Sequence, residues 1–247
     1  MKFLYRLYQL VVAAPLIIVA TIVTALVTSA GCMFGGGRFW GYYPGKLWSM
    51  FICKVLLLPV RVEGREHLQE GQSYVFVANH QGAFDIFLIY GYLGRNFKWM
   101  MKRGLRKIPF VGYACEKAGQ VFVDKRNAKS TQHTLESARR TLQNGMSLTV
   151  FPEGARTFTG HMALFRRGAF ALAHDLGLPV VPMTIDGSFD VLPRMRGVGF
   201  VAWHPLRLTI HPPLDASDLK EVMDMSWNTI MAALPDHHKG YVANADQ

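Results

Sequence analysis

His80 and Asp85 stand five residues apart in Asn79-His80-Gln81-Gly82-Ala83-Phe84-Asp85, and Glu153 and Arg156 stand three apart in Phe151-Pro152-Glu153-Gly154-Ala155-Arg156-Thr157. An imidazole beside a carboxylate can take a proton from a hydroxyl, because the carboxylate fixes the ring tautomer and stabilises the imidazolium. A guanidinium, helped by lysines, holds a phosphate through charge-assisted hydrogen bonds. Facing pairs on a continuous helix are three or four apart, so the spacing of five does not suit a helix face. It does suit a strand-to-helix junction, with His80 in the loop and Asp85, a good N-cap type, at the helix start. Two readings fit these seven residues. Either Asp85 caps a helix and His80 is a polar loop residue, or the two form a base oriented by a carboxylate. The readings are compatible, and Asp85 is expected to cap the helix and orient His80 from the same position.

The elements that must position these groups lie on either side. A β-rich run at 73–78 precedes the first motif, and an apolar helical run at 86–93 follows it. A second β-rich run, 147–151, stops at the Glu153 loop, and a third, 178–185, closes at Asp186-Gly187. Further strands are expected at 60–64, 120–123, 198–203 and 206–211. Helices are expected at 130–143, begun by Ser130 or Thr131 and ended by Asn144-Gly145, and at 168–176 and 217–234. This alternation indicates an α/β fold with a mixed, largely buried β-sheet flanked by helices. Open α/β sheets gather ligand sites beyond the carboxyl ends of their strands. The His80, Glu153 and Asp186 loops are therefore expected to converge.

Composition bounds the setting. Only 18% of the 247 residues are charged, against about 25% in average soluble proteins. No charged residue occurs between Arg6 and Arg38. The apolar run at 7–34 has 28 residues, more than the roughly 20 that span a bilayer. It is too long for the core of a cleaved signal peptide, and Ser29 spoils a lipoprotein-type reading of Ala30-Gly31-Cys32. Pro15 is expected to kink it. After Gly35-Gly36-Gly37, which lacks GxGxxG spacing, residues 39–58 carry Trp40, Tyr42, Tyr43 and Trp48 among Arg38, Lys46 and Lys54. That mixture reads as an interfacial amphipathic helix. Residues 1–58 are thus expected to form an N-terminal membrane-associated helical segment, and 59–247 the domain that carries both polar motifs. Whether 7–34 spans the bilayer or dips into one leaflet stays open.

The net charge is +10, and residues 95–129 hold ten Lys/Arg against two acids. Such a block suits an anionic partner, whether membrane headgroups, a phosphorylated substrate or nucleic acid. No helix-turn-helix, RRM or zinc-finger pattern accompanies it, so nucleic acid is the weakest of the three. Cys32, Cys53 and Cys115 form no CxxC and no disulfide framework. His161, His174, His204, His211, His237 and His238 show no ligand spacing, so surface or packing roles are expected and no metal is implied.

Four blocks carry a family resemblance. The 79–85 stretch resembles the NHxxxxD signature of the glycerolipid acyltransferases of the 1-acylglycerol-3-phosphate type, and 151–157 resembles their FPEGTRS block. Lys102 to Gly112 resembles their KxxLxxxPxxG block, and Val181-Pro182 with Gly187 their looser VP motif. The resemblance implies transfer of a fatty acyl group from acyl-CoA or acyl carrier protein, as substrate rather than cofactor, to a lysophospholipid hydroxyl. His80 would be the general base and Asp85 its orienting partner. Lys102, Arg103, Glu153, Gly154 and Arg156 would bind the acceptor, with Arg156 and Lys102 near its phosphate. Backbone N–H groups near His80 are candidates for holding the oxyanion. The absence of a GxSxG elbow agrees with direct attack and no acyl-enzyme. Ala155 and Gly104 depart from the family pattern and put acceptor preference in doubt. Lysophosphatidic acid, giving phosphatidic acid, is the expected acceptor. The alternatives are another lysophospholipid or lyso-aminolipid, or a non-catalytic protein that binds anionic lipid. The implied location is a membrane surface, the cytoplasmic face of a bacterial inner membrane.

Overall fold

The structure, a computed structural model, describes residues 2–123, 128–142, 146–194 and 199–243. Helices α1 (Lys2–Tyr8) and α2 (Ala14–Met33) are joined by a π-turn over Gln9–Ala13 into one rod of 32 residues. The expected kink at Pro15 is resolved by this wider turn instead. Proline has no N–H, and its ring crowds the carbonyl four residues back, so a π-turn just ahead of it relieves the clash. The rod is long and apolar enough to cross a membrane, and only 11% of its most apolar window is buried.

A single turn, α3 (Gly37–Trp40), leads into α4 (Tyr43–Val55). Helix α4 buries Gly45, Ser49, Ile52 and Cys53 at helical spacing while Leu47 and Phe51 face out. That is the amphipathic pattern expected for 39–58.

Seven strands form the central sheet, in the order β1-β8-β7-β2-β5-β3-β4. They are β1 (Val60–Glu63), β2 (Val75–Ala78), β3 (Phe97–Lys102), β4 (Val121–Val123), β5 (Ser147–Val150), β7 (Val180–Asp186) and β8 (Leu206–Ile210). Strands β7, β2, β5, β3 and β4 run parallel, so their carboxyl ends share one edge. Strand β8 runs against β7 and carries β1 with it. The sheet is mixed and largely buried, as the alternation of elements indicated.

Strand β2 shows why. Its side chains alternate between faces, and all four are buried. Phe76 and Ala78 join a core with Ile52, Leu88 and Ile89, under α4 and α5 (Phe84–Tyr92). Val75 and Val77 join a second core with Ala138, Phe170 and Val222. These last come from α7 (Ala128–Thr141), α8 (Gly168–Leu176) and α10 (Leu219–Ala233). A strand covered on both faces must read as a continuous apolar run.

Three details differ from expectation. Strand β3 and helix α6 (Val111–Lys117) lie inside the basic block and are not legible from it. Lys98 is only 6% exposed within β3, and its Nζ donates to Ala118 O at 2.7 Å. A buried lysine breaks the apolar pattern by which a strand is recognised. Second, residues 199–203 are not a strand. Gln9 serves that backbone, its amide accepting from Val201 N at 2.9 Å and donating to Val201 O at 2.8 Å. Third, α7 begins at Ala128 rather than at Ser130 or Thr131; the stop expected at Asn144-Gly145 falls outside the described residues.

Candidate active site

His80 leaves β2 at the carboxyl edge, and Asp85 is the second residue of α5. One oxygen, Asp85 Oδ2, accepts from His80 Nδ1 at 2.7 Å, Gln81 N at 2.8 Å and Gly82 N at 3.0 Å. Asp85 therefore gathers the loop rather than capping the helix. The N-cap position is Ala83, with no side-chain cap bond, because the carboxylate reaches backwards. Gly82 permits this turn, since a Cβ there would lie 2.3 Å from Ser188 O. With Nδ1–H committed to a carboxylate, a neutral imidazole presents Nε2 as its acceptor. Asp85 is 0% exposed and His80 15%, so the pair is dry behind and open in front.

The imidazole lies flat on Phe151, ring centroids 3.9 Å apart and 7° between planes. Phe151 in turn stacks on Trp99 at 5.5 Å. Trp99 pairs in register with Thr149 of the neighbouring β5, which brings both rings under the histidine. Trp99 was not legible as part of the site, because β3 itself was hidden, and Phe151 stands in the second motif with nothing in its spacing to announce the stack on His80.

Two further side chains pin the loop. Asn79 donates to Ile185 O at 2.8 Å and accepts from Ile185 N at 2.7 Å, tying the loop to β7. Gln81 Nε2 donates to Gly160 O at 2.7 Å.

Glu153, expected at the acceptor, has another occupation. Its Oε1 accepts from His80 N at 2.6 Å and its Oε2 from Ala163 N at 2.7 Å, the latter in β6 (Met162–Ala163). It is 1% exposed, which places it behind the histidine as a brace. The N–H groups of His80, Gln81 and Gly82 are thus all committed to the carboxyl oxygens of Glu153 and Asp85. They are not available to an oxyanion, contrary to expectation.

Burial pushes the Glu153 carboxyl up to about 8, against the pull of its two N–H donors and with the Asp85 charge adding to the rise. The unfolded chain holds this group at the ordinary 4.5. Between those values the folded chain keeps an extra proton, so this contribution is full below 4.5 and lost as pH rises through about 8. Glu153→Gln is expected to remove the slope. Thermal unfolding midpoints from about pH 5 to about pH 9 check it. A wild-type-minus-variant difference that stays flat contradicts it.

The basic residues collect on the same edge. Lys102 ends β3 and is exposed, and Arg103 opens the 3-10 turn Arg103–Lys107 beside it. Gly154 sits at φ +81°, and a Cβ there would lie 3.0 Å from the Arg166 guanidinium carbon. Arg156 is half-buried, and no ion pair engages its guanidinium among the described residues. Its carbonyl accepts from Arg194 Nη1 at 2.6 Å, while Arg194 lies over the Phe158 ring at 4.2 Å. The structure therefore joins Arg166 and Arg194 to the Gly154–Arg156 loop. Neither stands in a motif, and only the fold assembles them. Lys102 and Arg103 reach the same edge from two strands away, across β5 and its loop.

The model of the acyltransferase family matches residues 59–186, just over half of the chain. This chain belongs to the acyltransferase family. The match takes in both polar loops, the basic block and β7. Among curated relatives, a chloroplastic 1-acyl-sn-glycerol-3-phosphate acyltransferase of Arabidopsis thaliana is 32% identical over 181 residues. That alignment covers 73% of this chain and 50% of the relative. The human 1-acyl-sn-glycerol-3-phosphate acyltransferase alpha is 36% identical over 151 residues, 58% of this chain and 53% of its own length. The chain spans about half the length of these curated relatives. The crystal structure of the 1-acyl-sn-glycerophosphate acyltransferase PlsC from Thermotoga maritima superposes with a TM-score of 0.66 at 27% identity, covering 75% of each chain.

Proposed function

We propose that this acyltransferase moves a fatty acyl group from an acyl thioester to the free hydroxyl of 1-acylglycerol-3-phosphate, giving phosphatidic acid. The observation that carries the reading is His80, braced by Asp85 at 2.7 Å and stacked on Phe151, at the rim of an arginine-rich edge. In the forward step His80 Nε2 takes the hydroxyl proton as the oxygen attacks the thioester carbonyl. Asp85, whose Oδ2 touches Nδ1, stabilises the imidazolium that results. The tetrahedral intermediate collapses with loss of thiolate, and the imidazolium returns its proton to the sulfur. No acyl-enzyme forms.

Arg156, with Arg166 and Arg194 at its own loop and Lys102 at the end of β3 on the same edge, holds the acceptor phosphate. A hydrogen bond to a charged group contributes about 1.5–3 kcal/mol. Arg156→Ala is therefore expected to raise the acceptor KM by about tenfold or more, at 1.36 kcal/mol per tenfold. Steady-state kinetics on the purified enzyme in mixed micelles checks this, and an unchanged KM for the phosphorylated acceptor contradicts it. Acyl-CoA and acyl carrier protein are both suitable donors, and a donor-by-acceptor panel separates them.

The enzyme works on a membrane surface, with the 32-residue apolar rod as its anchor. Leu105, Ile108 and Phe110 stand exposed beside Arg103 and Lys107, an arrangement suited to anionic headgroups. The cytoplasmic face of a bacterial inner membrane is the proposed location.

A further inference from the structure

Among the described residues, one group of metal-ligating side chains lies outside the acyl-transfer site. Asp190 belongs to the single turn α9 (Ser188–Val191) that follows β7, and His237 and His238 to the 3-10 turn Asp236–His238 near the chain's end. The sequence places Asp190 and His238 48 residues apart, so no motif spacing announces them. In the fold the candidate ligand atoms of all three lie within 4.8 Å of one another. His238 is 3% exposed, Asp190 half-buried and His237 exposed.

We propose that Asp190, His237 and His238 form a divalent transition-metal site, best matched to zinc, that clips the C-terminal tail onto the turn after β7. His238 Nε2 stands 3.3 Å from Asp190 Oδ2. That is long for a charge-assisted hydrogen bond, which runs about 2.7–2.9 Å. It matches the edge of a zinc tetrahedron, about 3.3–3.4 Å for metal–ligand bonds of 2.0–2.1 Å. His237, whose ring centroid lies 4.2 Å from that of His238, supplies the third ligand from the exposed side. Two imidazoles and one carboxylate select zinc and its transition-metal neighbours over magnesium or calcium, which prefer oxygen. Three protein ligands leave a fourth position to water, on the open His237 side.

The buried histidine is held ready for this. Its ring meets Phe189 edge-on at 5.5 Å and 77°. A Cβ on Gly160 would lie 3.0 Å from its Nδ1. Asp236 is turned away, paired with Lys239 at 2.7 Å. The site also touches catalysis at one remove, because Gly160 O anchors Gln81 beside His80. A bound ion would tie the segment containing β9 (Tyr241–Val242), which pairs with β6, to the floor of the catalytic loop.

The test uses the full chain in detergent micelles, stripped with chelator and titrated with zinc alone. The proposal expects one zinc per chain and hydrogen-exchange protection that rises over residues 236–242 on binding. His237→Ala, at an exposed ring, leaves the fold intact and is expected to weaken binding by at least about tenfold and abolish the added protection. Cobalt substituted for zinc should give tetrahedral d–d absorption in the wild type and not in His237→Ala. No saturable uptake by the wild type overturns the proposal. So does undiminished affinity in His237→Ala, or uptake lost in His174→Ala, which would move the ion to the exposed His174–Asp175 pair.

Discussion

His80→Ala is expected to lower acyl transfer by at least about 10²–10⁴-fold, the range that a positioned general base supplies. The loss should fall on kcat, because the proposed base acts on the hydroxyl proton while the arginines proposed to hold the phosphate stay in place. Folding is not the cause, by magnitude. The substitution removes one of three hydrogen bonds to Asp85 Oδ2 and a ring stacked on Phe151. A hydrogen bond to a charged group contributes about 1.5–3 kcal/mol, against a typical domain stability of about 5–15 kcal/mol. His80→Gln, which keeps a donor toward Asp85 and offers no base, should be as inactive. Turnover within a few-fold of wild type in either variant, with unfolding midpoints measured alongside, would exclude His80 as the base.

Asp85→Asn is expected to cost nearly as much by a different route. The amide oxygen is able to occupy the Oδ2 position and keep all three bonds, since each partner there is a donor. The ring then keeps its tautomer. What disappears is the negative charge that stabilises the imidazolium at a residue 0% exposed to water. Low local dielectric makes that charge effective. The same Asp→Asn change beside a catalytic histidine costs about 10⁴-fold in the best-studied case, where the ring tautomer is lost as well, so that figure is the upper bound here. The variant also places an amide NH₂ where Oδ1 has no partner among the described residues. That leaves a buried donor unsatisfied, for about 1–3 kcal/mol of stability. Losing the Asp85 charge should lower the Glu153 titration too, though burial remains its main cause. If His80 and Asp85 act as one device, the double variant should be little worse than His80→Ala alone. Additive losses would show that they act separately.

The site was legible to the extent that its contacts are local. His80 and Asp85 sit five residues apart at a strand-to-helix junction, where spacing alone predicts a meeting. Which N–H groups the aspartate would collect was not legible. A carboxylate in a first helical turn can bond forward to the helix or backward to the loop, and here the loop donors were nearer. The long-range pins were hidden because they pair distant segments. Asn79 finds Ile185 106 residues on, and Gln81 finds Gly160 79 residues on.

Fold-level errors have similar causes. Phe200-Val201-Ala202-Trp203 is apolar enough for a strand, yet its Val201 backbone is occupied by Gln9 from the N-terminal rod. Lys98 hid β3, and with it Trp99, because a lysine whose Nζ donates to a carbonyl looks in sequence like a solvated one. Glu153 lies in a motif associated with acceptor binding, but burial and two backbone donors turn it toward the histidine. In each case a tertiary contact overrode a local pattern.

In the proposed mechanism, transfer from a thioester to a phosphorylated lysolipid is direct and depends on His80. The measurement that tests it most directly is thiol release from an acyl thioester by the purified full chain in mixed micelles. Release would be followed with and without 1-acylglycerol-3-phosphate, for wild type and His80→Ala. Stoichiometric thiol and phosphatidic acid are expected only when acceptor and His80 are both present. Thiol release by the wild type that is indifferent to the acceptor, or acceptor-dependent release that survives in His80→Ala, would contradict that mechanism.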